Sequence, residues 1–250
     1  MPGQSPLKAK PFRVPGLDEE IDRSINDTVT SYFIAAAVLC ALSGMEWLGY
    51  LTHAPRHPIL FSVIAAIAVA AASWRTVEVR SRVRRLRQGR DGERAVGQFL
   101  ERLRVGNAQV FHDVPGEGFN LDHVVISPHG LYAIETKTYS KPWPEARVTV
   151  DGDSVKIAGQ IPDRDPIVQV SLAARWLTDK LHESTGKLWA VRGVVVFPGW
   201  FVEQPLRGRV WVLEPKMLPG LIEQEPVSVT PEDVALAAFH LSRYVRAMVE

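Results

Sequence analysis

Apolar positions crowd into two uninterrupted runs before residue 75. Residues 30–51 read TSYFIAAAVLCALSGMEWLGYL, with Glu46 the single formal charge; residues 59–74 read ILFSVIAAIAVAAASW, with none. Both are apolar on every side rather than along one stripe, which disfavours surface helices of a soluble protein. At ~1.5 Å per residue, the 22-residue first run spans a ~30 Å hydrocarbon core. The second, at 16 residues, is slightly short, but Trp74 and Arg75 can sit at the interface. A short polar turn separates them. The pattern predicts a two-helix transmembrane hairpin over residues 29–75, with a pair of buried core helices as the competing reading. Cys40 reads as a packing residue, and Glu46 is placed to reach the headgroup layer or a partner.

Beyond residue 92 the periodicity changes. ERAVGQFLERLRV, residues 93–105, repeats apolar residues at helical spacing, after a glycine pair (Gly89, Gly92) expected to interrupt the preceding basic helix. A short strand is expected over residues 109–114. Residues 121–137, LDHVVISPHGLYAIETK, form two β-rich runs around Ser-Pro-His-Gly, a hairpin with residues 127–130 as its loop. A second hairpin follows at 147–158 with an Asp-Gly turn. Then come a helix over 169–185, a nearly continuous apolar strand at 189–197 buried on both faces, a strand at 209–213 and a helix at 231–249. This order fits an α/β (α+β) architecture, a mixed sheet flanked by helices.

Composition hides this division. The chain has 250 residues, net charge +1, mean hydropathy −0.02 and a single cysteine. These values exclude collagen-like and wholly disordered chains, a disulfide framework and a cysteine-cluster zinc site. By segment, however, residues 1–74 carry −1, residues 75–104 carry +6 and residues 105–250 carry −4. Arg75, Arg80, Arg82, Arg84, Arg85, Arg87 and Arg90 follow the second run; Lys8, Lys10, Arg13 and Arg23 precede the first; Arg56 stands alone between. The asymmetry predicts a cell-membrane protein with both termini cytoplasmic. The arginines read first as a juxtamembrane helix (76–91) contacting anionic lipid headgroups, and second as a phosphate-contacting face for nucleic acid. Residues 1–28, polar and Pro-rich and unlike a signal peptide, are expected to be a flexible tail. Residues 92–215 form the main domain and 216–250 a C-terminal helical segment.

The hairpin carries the chemistry. Opposed residues sum to 257, so Ile126 meets Leu131, His123 meets Ile134 and Asp122 meets Glu135. Lys137, two residues past Glu135, shares that face. Two carboxylates opposed at the end of an apolar hairpin need a cation, a shared proton or Lys137 to offset their repulsion, and oxygen donors suit magnesium. Spacing alone leaves open a surface charge pair in slipped register. His123 falls on the other face and reads as packing.

Gly92-Glu93-Arg94-Ala95, Asn120-Leu121-Asp122-His123, the run from Gly130 to Glu135-Thr136-Lys137, and Asp165-Pro166-Ile167-Val168-Gln169 together resemble the NERD (nuclease-related) domain of the PD-(D/E)xK nuclease superfamily, over about residues 89–200. The resemblance implies a restriction-endonuclease-like core and magnesium- or manganese-dependent hydrolysis of DNA or RNA. In it Asp122, Glu135 and Glu93 are metal ligands, Lys137 is the catalytic lysine and Gln169 positions a phosphate or water. Two plainer roles compete: Glu93 as a helix N-terminal residue and Gln169 as a solvated one. The net −4 of the domain is unlike a duplex-binding surface. It supports an alternative, an inactive membrane-anchored nucleic-acid-binding or adaptor protein on the same scaffold.

Overall fold

The computed structural model describes residues 15–52, 58–152, 154–203 and 205–249. One compact unit ends at Arg90 and another begins at Asp91. The first contains helix α1 (Pro15–Thr52) and the start of α2 (Pro58–Leu100). The expected turn between the apolar runs falls on residues 53–57, outside the described residues. Large apolar side chains on α1 face outward, Phe33 at 74% and Leu51 at 70% exposure among them, and so does Cys40, which was expected to pack.

Two expectations change here. Residues 15–28, read as part of a flexible tail, belong to α1. The glycines at 89 and 92 do not interrupt α2, because a helical glycine costs only about 1 kcal/mol and the flanking residues are good helix formers. Among the described residues, the one helical segment long and apolar enough to cross a membrane is Thr30–Thr52.

The second unit is a mixed sheet between helices. Its strands are β1 (Gln109–Pro115), β2 (Asn120–Ser127), β3 (Gly130–Thr136), β4 (Arg147–Asp151), β5 (Ser154–Ile157), β6 (Val191–Val196), β7 (Phe201–Glu203), β8 (Leu206–Arg207) and β9 (Val210–Leu213). Helices α3 (Pro166–Thr185), α4 (Leu218–Gln224) and α5 (Pro231–Val249) complete it. Six strands align as β1-β2-β3-β6-β9-β8, and β5-β4-β7 form a smaller sheet. The hairpin register is the expected one, Ile126 opposite Leu131 and His123 opposite Ile134. Its loop is tighter, with Ser127 and Gly130 paired around two residues. Then β3 runs parallel to β6, and β6 to β9.

Alternation along β2 and β3 sends side chains to two cores. Val124, Ile126, Leu131 and Ala133 pack against Leu177 and Leu181 of α3 and Ala237 and Leu241 of α5. Val125, Tyr132 and Ile134 pack against Val96 and Leu100 of α2 and Leu218 and Ile222 of α4. In β6, Val194 and Val196 join the second of these cores while Val195 joins a third with Phe197 and Trp200, so the strand is buried on both faces as its apolar run predicts. Because α5 contributes to the central core, the C-terminal helical segment 216–250 belongs to the same compact unit as the sheet.

Helix α3 begins three residues earlier than its periodicity suggested. Asp165 caps it, its Oδ1 accepting from the backbone N–H of Ile167 (2.8 Å) and Val168 (3.4 Å), with Pro166 as the first helical residue. The helix lies close on β6: a Cβ on Gly193 would stand 3.0 Å from Val170 Cγ1 and 3.3 Å from the Val170 carbonyl. Asp165→Ala should therefore cost about 1 kcal/mol in a urea titration and loosen the first turn, which carries Gln169. An unchanged midpoint would show the cap to be dispensable.

Candidate active site

Three elements of the second unit converge at one end of the sheet. β2 supplies Asp122, the end of β3 supplies Glu135 and Thr136, and the first turn of α3 supplies Gln169. Lys137 follows β3 directly. Its backbone N–H donates to the Val196 carbonyl at 2.9 Å, which extends the β3–β6 pairing past the strand and fixes the backbone of Lys137.

Lys137 Nζ donates to Glu135 Oε1 (2.7 Å) and to Gln169 Oε1 (2.8 Å), and Gln169 Nε2 donates to the same Glu135 Oε1 (2.7 Å). The three side chains close a triangle. Both bonds to Glu135 fall on Oε1 and neither uses Oε2. Where the β2–β3 pairing ends at His123, the Asp122 side chain takes over: its Oδ2 accepts the Thr136 backbone N–H at 2.7 Å. So Asp122 and Glu135 come together, as the register predicted, with a main-chain amide fixing one and a lysine and an amide fixing the other.

Glu93 enters from α2. A Cβ on Gly92 would stand 2.1 Å from Thr138 Cγ2, closer than any real contact, so only glycine lets this turn of the helix lie against the segment after Lys137. Glu93 is near enough to feel the charges of Glu135 and Lys137. The five side chains singled out in the sequence thus share one neighbourhood. Among the described residues, no three of the His, Cys, Asp or Glu side chains are gathered closely enough to hold a metal ion.

Residues 88–198 match the nuclease-related domain, NERD. No curated protein and no solved structure matches the chain. That match supports a nuclease-like scaffold.

Its electrostatics are those of an acidic cluster short of positive charge. Burial, then the charges of Glu135 and Glu93, push the Asp122 carboxyl well above the usual carboxylate range, against the Thr136 amide and Lys137. Burial, then Asp113 and Glu135, push Glu93 from 4.5 up to about 7, with Lys137 opposing. These oxygens suit a hard divalent cation, whose charge would relieve the repulsion that adds to burial in raising both values.

The structure adds residues that the sequence did not single out. Asp113 on β1 lies between the pairs His112–His123 and Val114–Leu121, and so beside Asp122. It adopts φ +51°, its Oδ1 accepts from Asn120 Nδ2 at 3.1 Å, and burial raises its carboxyl. No sequence pattern announces that backbone, although Asp is among the residues that tolerate it. His123, read as packing, is fully buried, and its Nδ1 lies 2.7 Å from His112 Nδ1. His112 Nε2 in turn lies 3.0 Å from Glu101 Oε1. Burial, and then His112, depress His123 to about 3, against a hydrogen bond to the Glu93 backbone. Buried His123, paired with half-buried His112, therefore supports the turn of α2 that presents Glu93.

The raised Glu93 value has a testable sign. Between pH 4.5 and about 7 the folded state holds a proton that the unfolded chain releases, so the stability this carboxyl costs grows through that window and is complete above it. Glu93→Gln should be nearly neutral in stability at pH 4.5 and stabilise the chain by about 1–2 kcal/mol at pH 8, a figure reduced for the partial exposure of the group. Equal effects at both pH values would refute the assigned burial of charge.

Proposed function

We propose that the chain is a membrane-anchored nuclease, hydrolysing phosphodiester bonds of DNA or RNA on the cytoplasmic side with magnesium or manganese. The observation that carries this reading is the Glu135–Lys137–Gln169 triangle closed beside Asp122, within the segment that matches the nuclease-related domain. Asp122 and Glu135 would hold the cation, with the Thr136 carbonyl as a further oxygen and Glu93 reaching it directly or through water. Bound there, a divalent ion supplies Lewis acidity at the phosphoryl oxygens and makes water a stronger acid.

The protein groups do the rest. The Lys137 ammonium stands beside Glu135, where it can orient the attacking water and offset negative charge developing on the phosphoryl group. Gln169 holds both Lys137 and Glu135, so neither side chain rotates away between turnovers. Cleavage of labelled single- and double-stranded DNA and RNA by the full chain in detergent, with magnesium or with chelator, tests this. Magnesium-dependent cleavage abolished by Glu135→Gln is expected; equal residual cleavage by wild type and variant would refute it.

One observation favours the second reading, an inactive nucleic-acid-binding or adaptor protein. Residues 105–250 carry net −4, unlike a duplex-binding surface. No magnesium- or manganese-dependent cleavage, with oligonucleotide binding retained, would select it.

The anchor is supported by Thr30–Thr52, whose apolar side chains face outward, and by Trp47 and Tyr50 near its end, residues suited to a membrane interface. A second crossing by residues 59–74 completes the hairpin and leaves the arginines of residues 75–90 among anionic headgroups. In a Cys40→Ser background, His53→Cys should be labelled by an impermeant thiol reagent on intact cells; labelling only after lysis would remove the second crossing.

A further inference from the structure

We propose that a cavity of about 400 Å³ beside the candidate site is a nucleobase subsite, and that the substrate is single-stranded nucleic acid or an unpaired end. The inference rests on the nuclease reading and adds the substrate class to it. Tyr139, Trp143 and Trp200 line the cavity, with Ile161, Gln160 and Asp163.

The cavity is continuous with the site through the chain. Tyr139 lies two residues past Lys137, and its ring stacks on Phe197 (centroids 6.4 Å apart, 26° between planes), the residue after β6. Trp200 Nε1 donates to the Tyr139 carbonyl at 3.1 Å. The strand ends that hold Glu135 and Lys137 therefore also hold two aromatic walls. Trp200 is 3% exposed and set in the core, while Trp143 is 49% exposed and Ile161 72%. One wall is fixed and the rim is open apolar surface.

The chemistry selects the guest. Aromatic rings stack on any base, and such stacking is sequence-tolerant. At the edges, Gln160 offers an amide donor and acceptor. Asp163 accepts from exocyclic amino or ring N–H groups and repels a phosphate entering the cavity. A positive charge stands alongside: Lys141 Nζ lies 5.5 Å from the Trp200 ring centroid. That charge opposes a cationic guest, which aromatic walls would otherwise suit, and favours a phosphate outside the cavity. A base stacked and paired within a duplex cannot enter unless it leaves the stack.

Fluorescence anisotropy of a labelled single-stranded oligonucleotide and of its duplex, with the full chain in detergent and chelator present, separates binding from cleavage. Wild type is expected to bind the single strand more tightly. Trp143→Ala should weaken that binding about 5- to 100-fold, and Trp143→Phe should restore most of it by keeping a ring. Equal binding of single strand and duplex, or unchanged single-strand affinity in Trp143→Ala, would overturn the subsite whether or not the chain cleaves. Absence of cleavage with single-strand binding intact would overturn the nuclease reading and leave the subsite standing.

Discussion

Lys137→Met should lower magnesium-dependent cleavage by about 10²- to 10⁴-fold, while magnesium affinity stays the same or rises. The ammonium lies 2.7 Å from Glu135 Oε1 and opposes the burial and neighbouring carboxylate charges that raise Glu93 and Asp122. Its removal takes a positive charge away from carboxylates that would receive a cation, so binding of that cation cannot suffer electrostatically. Methionine keeps the length and packing of the stem. Gln169 Nε2 still donates to Glu135 at 2.7 Å, so Glu135 keeps one fixed partner. Loss of turnover with metal binding preserved assigns Lys137 to the chemistry. Loss of both together, measured by calorimetric magnesium titration, would instead show that Lys137 holds the carboxylates in place. The experiment therefore separates a catalytic lysine from a structural one.

Gly92→Ala should destabilise the second unit by about 1–3 kcal/mol and reduce cleavage as well. The added Cβ meets Thr138 Cγ2 at 2.1 Å, whereas the next atoms, Pro198 Cγ and Thr138 Cβ, stand at 3.6 Å, an ordinary contact. The conflict is thus with a single methyl group, and Thr138→Ser deletes that methyl while keeping the hydroxyl. In the Ser background the same Gly92→Ala substitution should change sign. Alanine then gains its helical advantage over glycine, up to about 1 kcal/mol, with nothing left to strike. A double-mutant cycle from urea midpoints reads the coupling directly. If Gly92→Ala costs the same in both backgrounds, the close approach of α2 to Thr138 is not what the glycine serves, and the placement of Glu93 rests on something else.

Both experiments bear on how far the site could be read without coordinates. The β2–β3 register follows from alternation alone. A slip of one residue would turn Val124, Ile126, Leu131 and Ala133 from one core to the other, and the short turn permits a single pairing. Once that register is set, Asp122, Glu135 and Lys137 must lie near one another. The two-sided burial of the second half of β6 is equally local, since the run Val194–Val196 has no polar face to offer solvent. Helix α3 was legible as an element, and its start lay in Asp165-Pro166, a capping signal more informative than the apolar period that follows.

Other features depend on distance in space. Glycine's cost in a helix is small enough for packing to outweigh, so Gly89 and Gly92 could not by themselves show whether α2 breaks or continues; the partner that makes glycine necessary, Thr138, is far away in sequence. Asp113 joins the acidic cluster through a positive-φ backbone on β1 that no residue pattern announces. The His112–His123 pair needs β1 and β2 in register, together with a helix above them.

By itself, then, the sequence determined which residues alternate, which stretches are apolar on all sides, and which carboxylates share a face with Lys137, because each depends only on neighbours a few positions apart. Tertiary structure decided that Gln169 closes a triangle with Glu135 and Lys137, that α2 brings Glu93 to them, and that the carboxyls of Asp122 and Glu93 are held well above their ordinary range. Those outcomes depend on burial and on charges carried by separate elements, and a chain acquires both only when its core forms.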